Sequence, residues 1–182
     1  RKMSKSLGNG INPLEMIEQY GADAVRFSLV FLCTEGQDVN LDPARFEMGR
    51  NFANKIWNAF RFCNGYLEGK QYETPVFSEL KRQEDRWILT RLNELVRSVD
   101  GYWSEYRMSA GLNEIYQFLW RDFCDWYIEM VKSRFSGDDE VDKKTARQVL
   151  YEVFTRSMKI LHPVMPFITE EIWSFLKPGR FL

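Results

Sequence analysis

The sequence is poor in the residues that most often mark a site. Its three cysteines, Cys33, Cys63 and Cys124, are far apart and odd in number, and none belongs to a Cys-x-x-Cys pair. That argues against a disulfide framework or a zinc site and fits a reducing cytoplasm. The single histidine, His162, stands directly before Pro163. It reads as a helix-end residue close to the negative pole of the helix dipole. Neither sign of charge dominates: 25 Lys and Arg face 26 Asp and Glu, for a net charge of −1. Contact with nucleic acid would therefore need a local basic stripe or stacking, because overall basicity cannot supply it. No apolar run approaches membrane-spanning length. No leader-like segment opens the chain, and no repeat or low-complexity stretch interrupts it. It begins Arg1-Lys2-Met3 without an initiating methionine, as a piece of a longer protein would.

What is plentiful is apolar and aromatic. Hydrophobic residues make up 45% of the 182, including six Trp, eight Tyr and fourteen Phe. That suits a folded domain, or one domain with a short appendage. The pattern is helical. Asn12-Pro13 with Glu15 reads as N-cap, N1 and N3 of a short helix that Gly21 ends. A second short helix covers Ala22 to about Leu32. Residues 34–42 are turn-like, with room for a short strand at Val39–Leu41. Asp42-Pro43 then starts a long helix to about Leu67, with Phe52, Ile56, Phe60, Cys63 and Leu67 as its core stripe. After a connector at 70–81, a helix is expected from about Arg82 to Tyr106. Another, capped by Ser109, should reach about Phe135, with Trp120, Phe123, Trp126 and Tyr127 as a core belt. Helices at about 141–161 and 167–176 complete the chain. The fold class is all-α: an antiparallel helical bundle from about residue 42, preceded by a short irregular segment over 1–41.

Two features carry chemistry. Lys2-Met3-Ser4-Lys5-Ser6 puts two ammonium groups and two hydroxyls in one turn of loop, and Gly8 and Gly10 give it freedom to move. Such a segment can close over a polyphosphate and offset the charge that builds on a leaving pyrophosphate. Taken as composition alone, it reads first as a solvated basic turn, since short basic loops are common. The second feature is a face of the helix from Asp42. Asn51, Asn54, Lys55, Asn58, Arg61 and Phe62 lie beside the core stripe, with Arg50 near them. Amides and guanidinium groups read base edges, cations hold phosphates, and Phe62 could stack on an unpaired base. The bland alternative buries the asparagines and Phe62 against a neighbouring helix. The carboxylates Asp122, Asp125 and Glu129 form a row that suits pairing with Arg or Lys better than a metal, and no metal site is assigned.

The opening string is also the signature of a family. Lys2-Met3-Ser4-Lys5-Ser6, continued by Leu7-Gly8-Asn9 and Gly21-Ala22-Asp23-Ala24-Val25-Arg26, resembles the class I aminoacyl-tRNA synthetases. Thr34 to Val39, Gly49 to Ala59, Asp125-Trp126-Tyr127-Ile128-Glu129 and Leu161 to Phe167 are similar to the valine-specific members. Isoleucyl, leucyl and methionyl members share the loop and the bundle and differ most over residues 34–59; the isoleucyl group is the next resemblance, and a stand-alone helical interaction module the non-enzymatic one. The resemblance implies that Lys5 binds ATP, with Lys2 in support and Ser4 and Ser6 as donors, ATP being a substrate accompanied by Mg2+. It implies a valine-accepting tRNA held at its anticodon loop, for which the helix face above offers Arg50, Lys55, Asn58, Arg61 and Phe62 as contacts. It also implies a cytoplasmic ligase. The partner His-x-Gly-His motif is absent, since the chain has one histidine. These residues alone are therefore expected to be inactive.

Overall fold

The computed structural model describes residues 10–34, 39, 41–67 and 69–182. Among these, every regular element is helical. The first helix, α1 (Pro13–Tyr20), is set by its cap. Asn12 accepts the Leu14 N–H at 3.1 Å and donates its amide to Glu15 at 2.9 Å, while Pro13 occupies a first-turn position where an N–H is not needed. Gly21, at φ 92°, turns the chain into α2 (Ala22–Leu32), a conformation that a Cβ would strain. Of the short strand expected at Val39–Leu41, Val39 and Leu41 are irregular, and Asn40 lies outside the described residues.

Asp42 then accepts the Ala44 N–H at 2.9 Å and opens a 3-10 turn, Pro43–Arg45, that leads into α3 (Phe46–Leu67). The expected core stripe of α3 is buried throughout: Phe52, Ile56, Phe60, Cys63 and Leu67. Each large side chain removed from water in this way contributes about 1.5–3 kcal/mol. Burial also pushes the thiol of Cys63 far above its usual range and that of Cys124 up to about 12, so both stay protonated and inert. After α4 (Gln83–Ser104) comes one continuous helical rod from Met108 to Phe135. Its ends are α-helical, α5 (Met108–Gln117) and α6 (Ile128–Phe135), but its middle, Phe118–Tyr127, is wound as a π-helix.

The rod corrects two expectations. Ser109 does not cap it. Ser109 sits inside the first turn and donates its hydroxyl to the Phe31 carbonyl at 2.8 Å, tying α5 to α2. The aromatic belt also divides. The wider π turns shift the side-chain phase, so a 3.6-residue count runs out of register. Tyr127, Ile128 and Val131 take the core positions, whereas Trp126 is 55% and Met130 42% exposed.

Asp139 caps α7 (Glu140–Leu161) by accepting the N–H groups of Val141 and Asp142, each at 3.0 Å. His162 ends it, with Nδ1 2.8 Å from the Thr169 hydroxyl. The last helix, α8 (Pro166–Leu176), begins at a joint with α2. Asp23 accepts the Phe167 and Ile168 N–H groups at 3.2 and 2.6 Å, and Arg26 donates to the carbonyls of Val164 and Pro163 at 3.0 and 2.9 Å. Desolvation raises the carboxyl pKa of Asp23, and the two backbone donors pull it back. On its other side α2 packs closely on α3 at Gly49, where a Cβ would lie 2.4 Å from the Ala24 carbonyl oxygen.

One buried polar network crosses the core. Asp85 on α4 is fully buried and accepts from Tyr127 and Arg134, each at 2.7 Å. Arg134 also reaches Asp142 through Nε at 3.1 Å and Nη2 at 2.8 Å, and Arg82 meets the same carboxylate at 3.3 and 3.0 Å. Desolvation works against the Asp142 carboxylate. The donors from Arg82 and Arg134 outweigh it and hold the pKa below the usual 3.8. Desolvation by burial, then Asp85, raises the Tyr127 phenol well above its normal range.

Candidate nucleic-acid interface

Helix α3 presents one stripe to solvent. Glu47, Arg50, Asn51, Asn54, Asn58, Arg61 and Gly65 recur at three- and four-residue intervals and are all exposed. The residues on either side of the stripe are engaged. Trp57 and Phe60 face α8 through Phe175, at ring distances of 6.3 and 5.5 Å. Lys55 and Phe62 turn the other way, toward the rod.

The five expected contacts of α3 therefore fall into two groups. Asn58 and Arg61 lie on the open stripe, and among the described residues the Arg61 guanidinium has no ion pair or hydrogen bond. Arg50 is also exposed, but it leans on Tyr20 at 5.6 Å and pairs with Glu47 at 3.6 Å. Lys55 is bound to Asp125 at 2.6 Å and lies 5.2 Å above the Trp120 ring. Phe62 is half-buried, edge-on to Tyr66 at 5.0 Å and capped by the Lys132 ammonium at 5.2 Å. Lys55 and Phe62 thus build the wall between α3 and the rod. The loop residues Lys2, Ser4, Lys5 and Ser6 lie outside the described residues.

Chemically, the stripe offers amides that donate and accept, and guanidinium groups that fit a phosphate or a guanine edge. It offers only one carboxylate, Glu47, at its N-terminal end. The expected pairing of the rod's carboxylates with neighbouring helices is seen for Asp122, which meets Arg91 at 3.0 Å, and for Asp125, which meets Lys55, whereas Glu129 pairs with Lys132 on its own helix. The sequence reading missed Lys132 beside Phe62 and the exposed indole of Trp126. The π-helical phase shift concealed Trp126, and no local signal marks it. Among the described residues no helix is long and apolar enough to cross a membrane.

The arrangement is that of a known module. Residues 85–182 match the anticodon-binding domain of tRNA ligase, and residues 1–42 match the class I tRNA synthetases of the I, L, M and V group. The chain belongs to the anticodon-binding-domain family of tRNA ligases. Within it, the similarity is to valine enzymes. A valine–tRNA ligase of Geobacillus stearothermophilus is 50% identical over 176 residues, which is 97% of this chain and 20% of that enzyme. The chain thus spans about a fifth of the length of the relatives it matches. Two solved structures share the fold. A LeuRS of Agrobacterium radiobacter K84, in a ternary complex with tRNA and LeuAMS, covers the whole chain at a TM-score of 0.81 and 22% identity, over 21% of its own length. A methionyl-tRNA synthetase of Mycobacterium tuberculosis, in complex with methionyl-adenylate, covers 95% at 0.75 and 23% identity, over 35% of its own length.

Proposed function

We propose that this chain is the tRNA-gripping region of a cytoplasmic valine–tRNA ligase, which joins valine to its tRNA at the expense of ATP. The observation that supports this reading most is the 50% identity to a valine–tRNA ligase across 97% of the chain. In this reading residues 1–41 hold the ATP loop and the end of the catalytic domain, and residues 42–182 form the anticodon-binding bundle. Lys5 neutralises the ATP phosphates, Lys2 supports it, and Ser4 and Ser6 donate to phosphate oxygens. Mg2+ accompanies ATP as part of the substrate in this reading.

The tRNA contacts are Arg50, Lys55, Asn58, Arg61 and Phe62, in unequal roles. Asn58 and Arg61 can touch RNA as they stand. Arg50 needs only a weak exposed pair to open, which costs about 1 kcal/mol or less. Lys55 and Phe62 act mainly by fixing the edge of the stripe. The joint of Asp23 and Arg26 with the start of α8 ties α2 to the bundle.

The test uses the full-length enzyme. Lys5→Ala should lower valine-dependent ATP–pyrophosphate exchange by about 10²–10³-fold while tRNA affinity holds. Arg61→Ala should raise KM for valine tRNA and leave the exchange unchanged. Exchange with isoleucine as fast as with valine would overturn the valine assignment.

A further inference from the structure

Four contacts set how the rod lies along α3. The rings of Phe52 and Trp120 stack at 6.4 Å, Lys55 meets Asp125, Lys132 caps Phe62, and Tyr66 stacks on Phe135 at 4.0 Å. Both helices ascend in number through the series, so they run parallel, and the rod borders the open stripe of α3 from residue 52 to residue 66. The rod's described residues hold three cations. Arg134 is committed to Asp85 and Asp142, and Arg121 pairs with Asp122, whose carboxylate also meets Arg91 of α4. Lys132 is the one that a contact brings to α3: its ammonium lies 5.2 Å from the centre of the Phe62 ring. The carboxylate beside it, Glu129 at 2.5 Å, belongs to its own helix. Lys55, in contrast, is tied across the seam to a carboxylate of the rod.

Three features suit Lys132 to an outside anion. Its side chain is 44% exposed and that of Glu129 58%. A pair of this kind, open to water on both sides and local to one helix, is weak and does not hold an ammonium against a phosphate. Phe62 fixes the head group through its ring, a contact that a bound anion leaves intact. The lysine also stands in the last turn of α6, where the helix dipole favours positive charge. Phe62 follows Arg61 directly, so the ring draws this ammonium to the turn of α3 that carries Asn58 and Arg61.

We infer that Lys132 binds a backbone phosphate of the RNA that the α3 stripe contacts, and that Phe62 is its positioning residue. The inference rests on the tRNA-binding reading and deepens it: α3 supplies one side of the RNA track and the rod the other. On binding, the ammonium leaves Glu129 for a phosphate oxygen and stays over the Phe62 ring. The ring face that Lys132 covers is closed to a base, so Phe62 contributes to RNA affinity through the lysine. Phosphate contacts fix register without reading sequence, which complements a stripe rich in asparagine.

The experiment measures the affinity of the full-length protein for valine tRNA across a salt series. Lys132→Gln should raise Kd about fivefold at about 0.1 M salt and reduce the log–log salt slope by roughly 0.7–0.9, the share of one phosphate. Lys132→Arg should keep the wild-type slope. Phe62→Leu keeps an apolar side chain and removes the ring; it should weaken binding about threefold in the wild type and no further in Lys132→Gln, as a coupled pair does. Glu129→Gln removes the competing carboxylate and should tighten binding about twofold. Wild-type Kd and slope in Lys132→Gln, alongside weakened binding by Arg61→Ala, would overturn the phosphate contact and leave the tRNA reading intact. Weaker binding by Lys132→Gln with an unchanged slope and a lowered Tm would give the lysine a structural part, and would also overturn it. An equal loss from Phe62→Leu with and without Lys132 would mean that the ring touches RNA itself, and would overturn its positioning role. No tRNA binding by the wild type at low salt would end both readings.

Discussion

The core network and the α3 stripe use the same side chains to opposite ends. Around Asp85, Arg134, Asp142 and Arg82, each cation meets a carboxylate, and Arg134 meets two. Along the stripe, Arg61 and Asn58 face water, and the Arg61 guanidinium is unpaired among the described residues. A closed network spends its polarity on holding α4, the rod and α7 together, and it offers nothing to an outside ligand. An open stripe adds little to stability and keeps its donors free. The difference shows that charge by itself does not mark a free surface: a cation is available to an outside ligand only where no internal partner holds it. Lys55 illustrates the boundary, being a cation on α3 that the rod has already claimed through Asp125.

The comparison can be broken at either end. The largest effect is expected from Arg134→Met, which leaves the Asp85 carboxylate buried with only the Tyr127 hydroxyl. Chemical denaturation should show a loss of about 3–5 kcal/mol, with tRNA affinity of the folded fraction unchanged. Arg61→Ala should do the reverse. Its stability should stay within about 0.5 kcal/mol of wild type, while tRNA affinity falls about 5–20-fold, the range for a lost base or phosphate contact. Acid sharpens the contrast. The folded pKa of Asp142 is lowered, so its contribution is complete above the ordinary value of 3.8 and is lost as pH falls through the folded one. Acid titration of stability should therefore be shallower in Asp142→Asn than in wild type, and tRNA-contact variants should follow the wild-type curve. The smallest effect belongs to Lys55→Ala, at about 1 kcal/mol of stability or less for a half-exposed pair. Its loss of tRNA affinity should be smaller than that of Arg61→Ala.

Much of the frame was legible because it obeys local rules. Asn12, Asp42 and the 3.6-residue stripe of α3 state their positions within a few residues, and the structure places helices where they point. Three things were not local. The π winding of Phe118–Tyr127 has no sequence period of its own, so Trp126 was counted as core. Arg134 sits in the last turn of α6, where a cation is ordinarily exposed, and its burial depends on Asp85 and Asp142, 49 and 8 residues away. Lys55 and Phe62 share a helical face with Asn58 and Arg61 in projection. Only the position of the rod separates claimed side chains from free ones. The loop at Lys2–Ser6 was legible as a motif, yet its residues lie outside those described.

The central claim is that the open stripe of α3 lies against the anticodon end of tRNA. It is tested most directly by placing benzoylphenylalanine at position 58 of the full-length protein, with the exposed position 144 on α7 as a control, and photocrosslinking to valine tRNA. The account predicts crosslinks from position 58 to nucleotides of the anticodon loop and none from position 144. Crosslinks from position 58 to the acceptor stem, or equal yields from both positions, would contradict it.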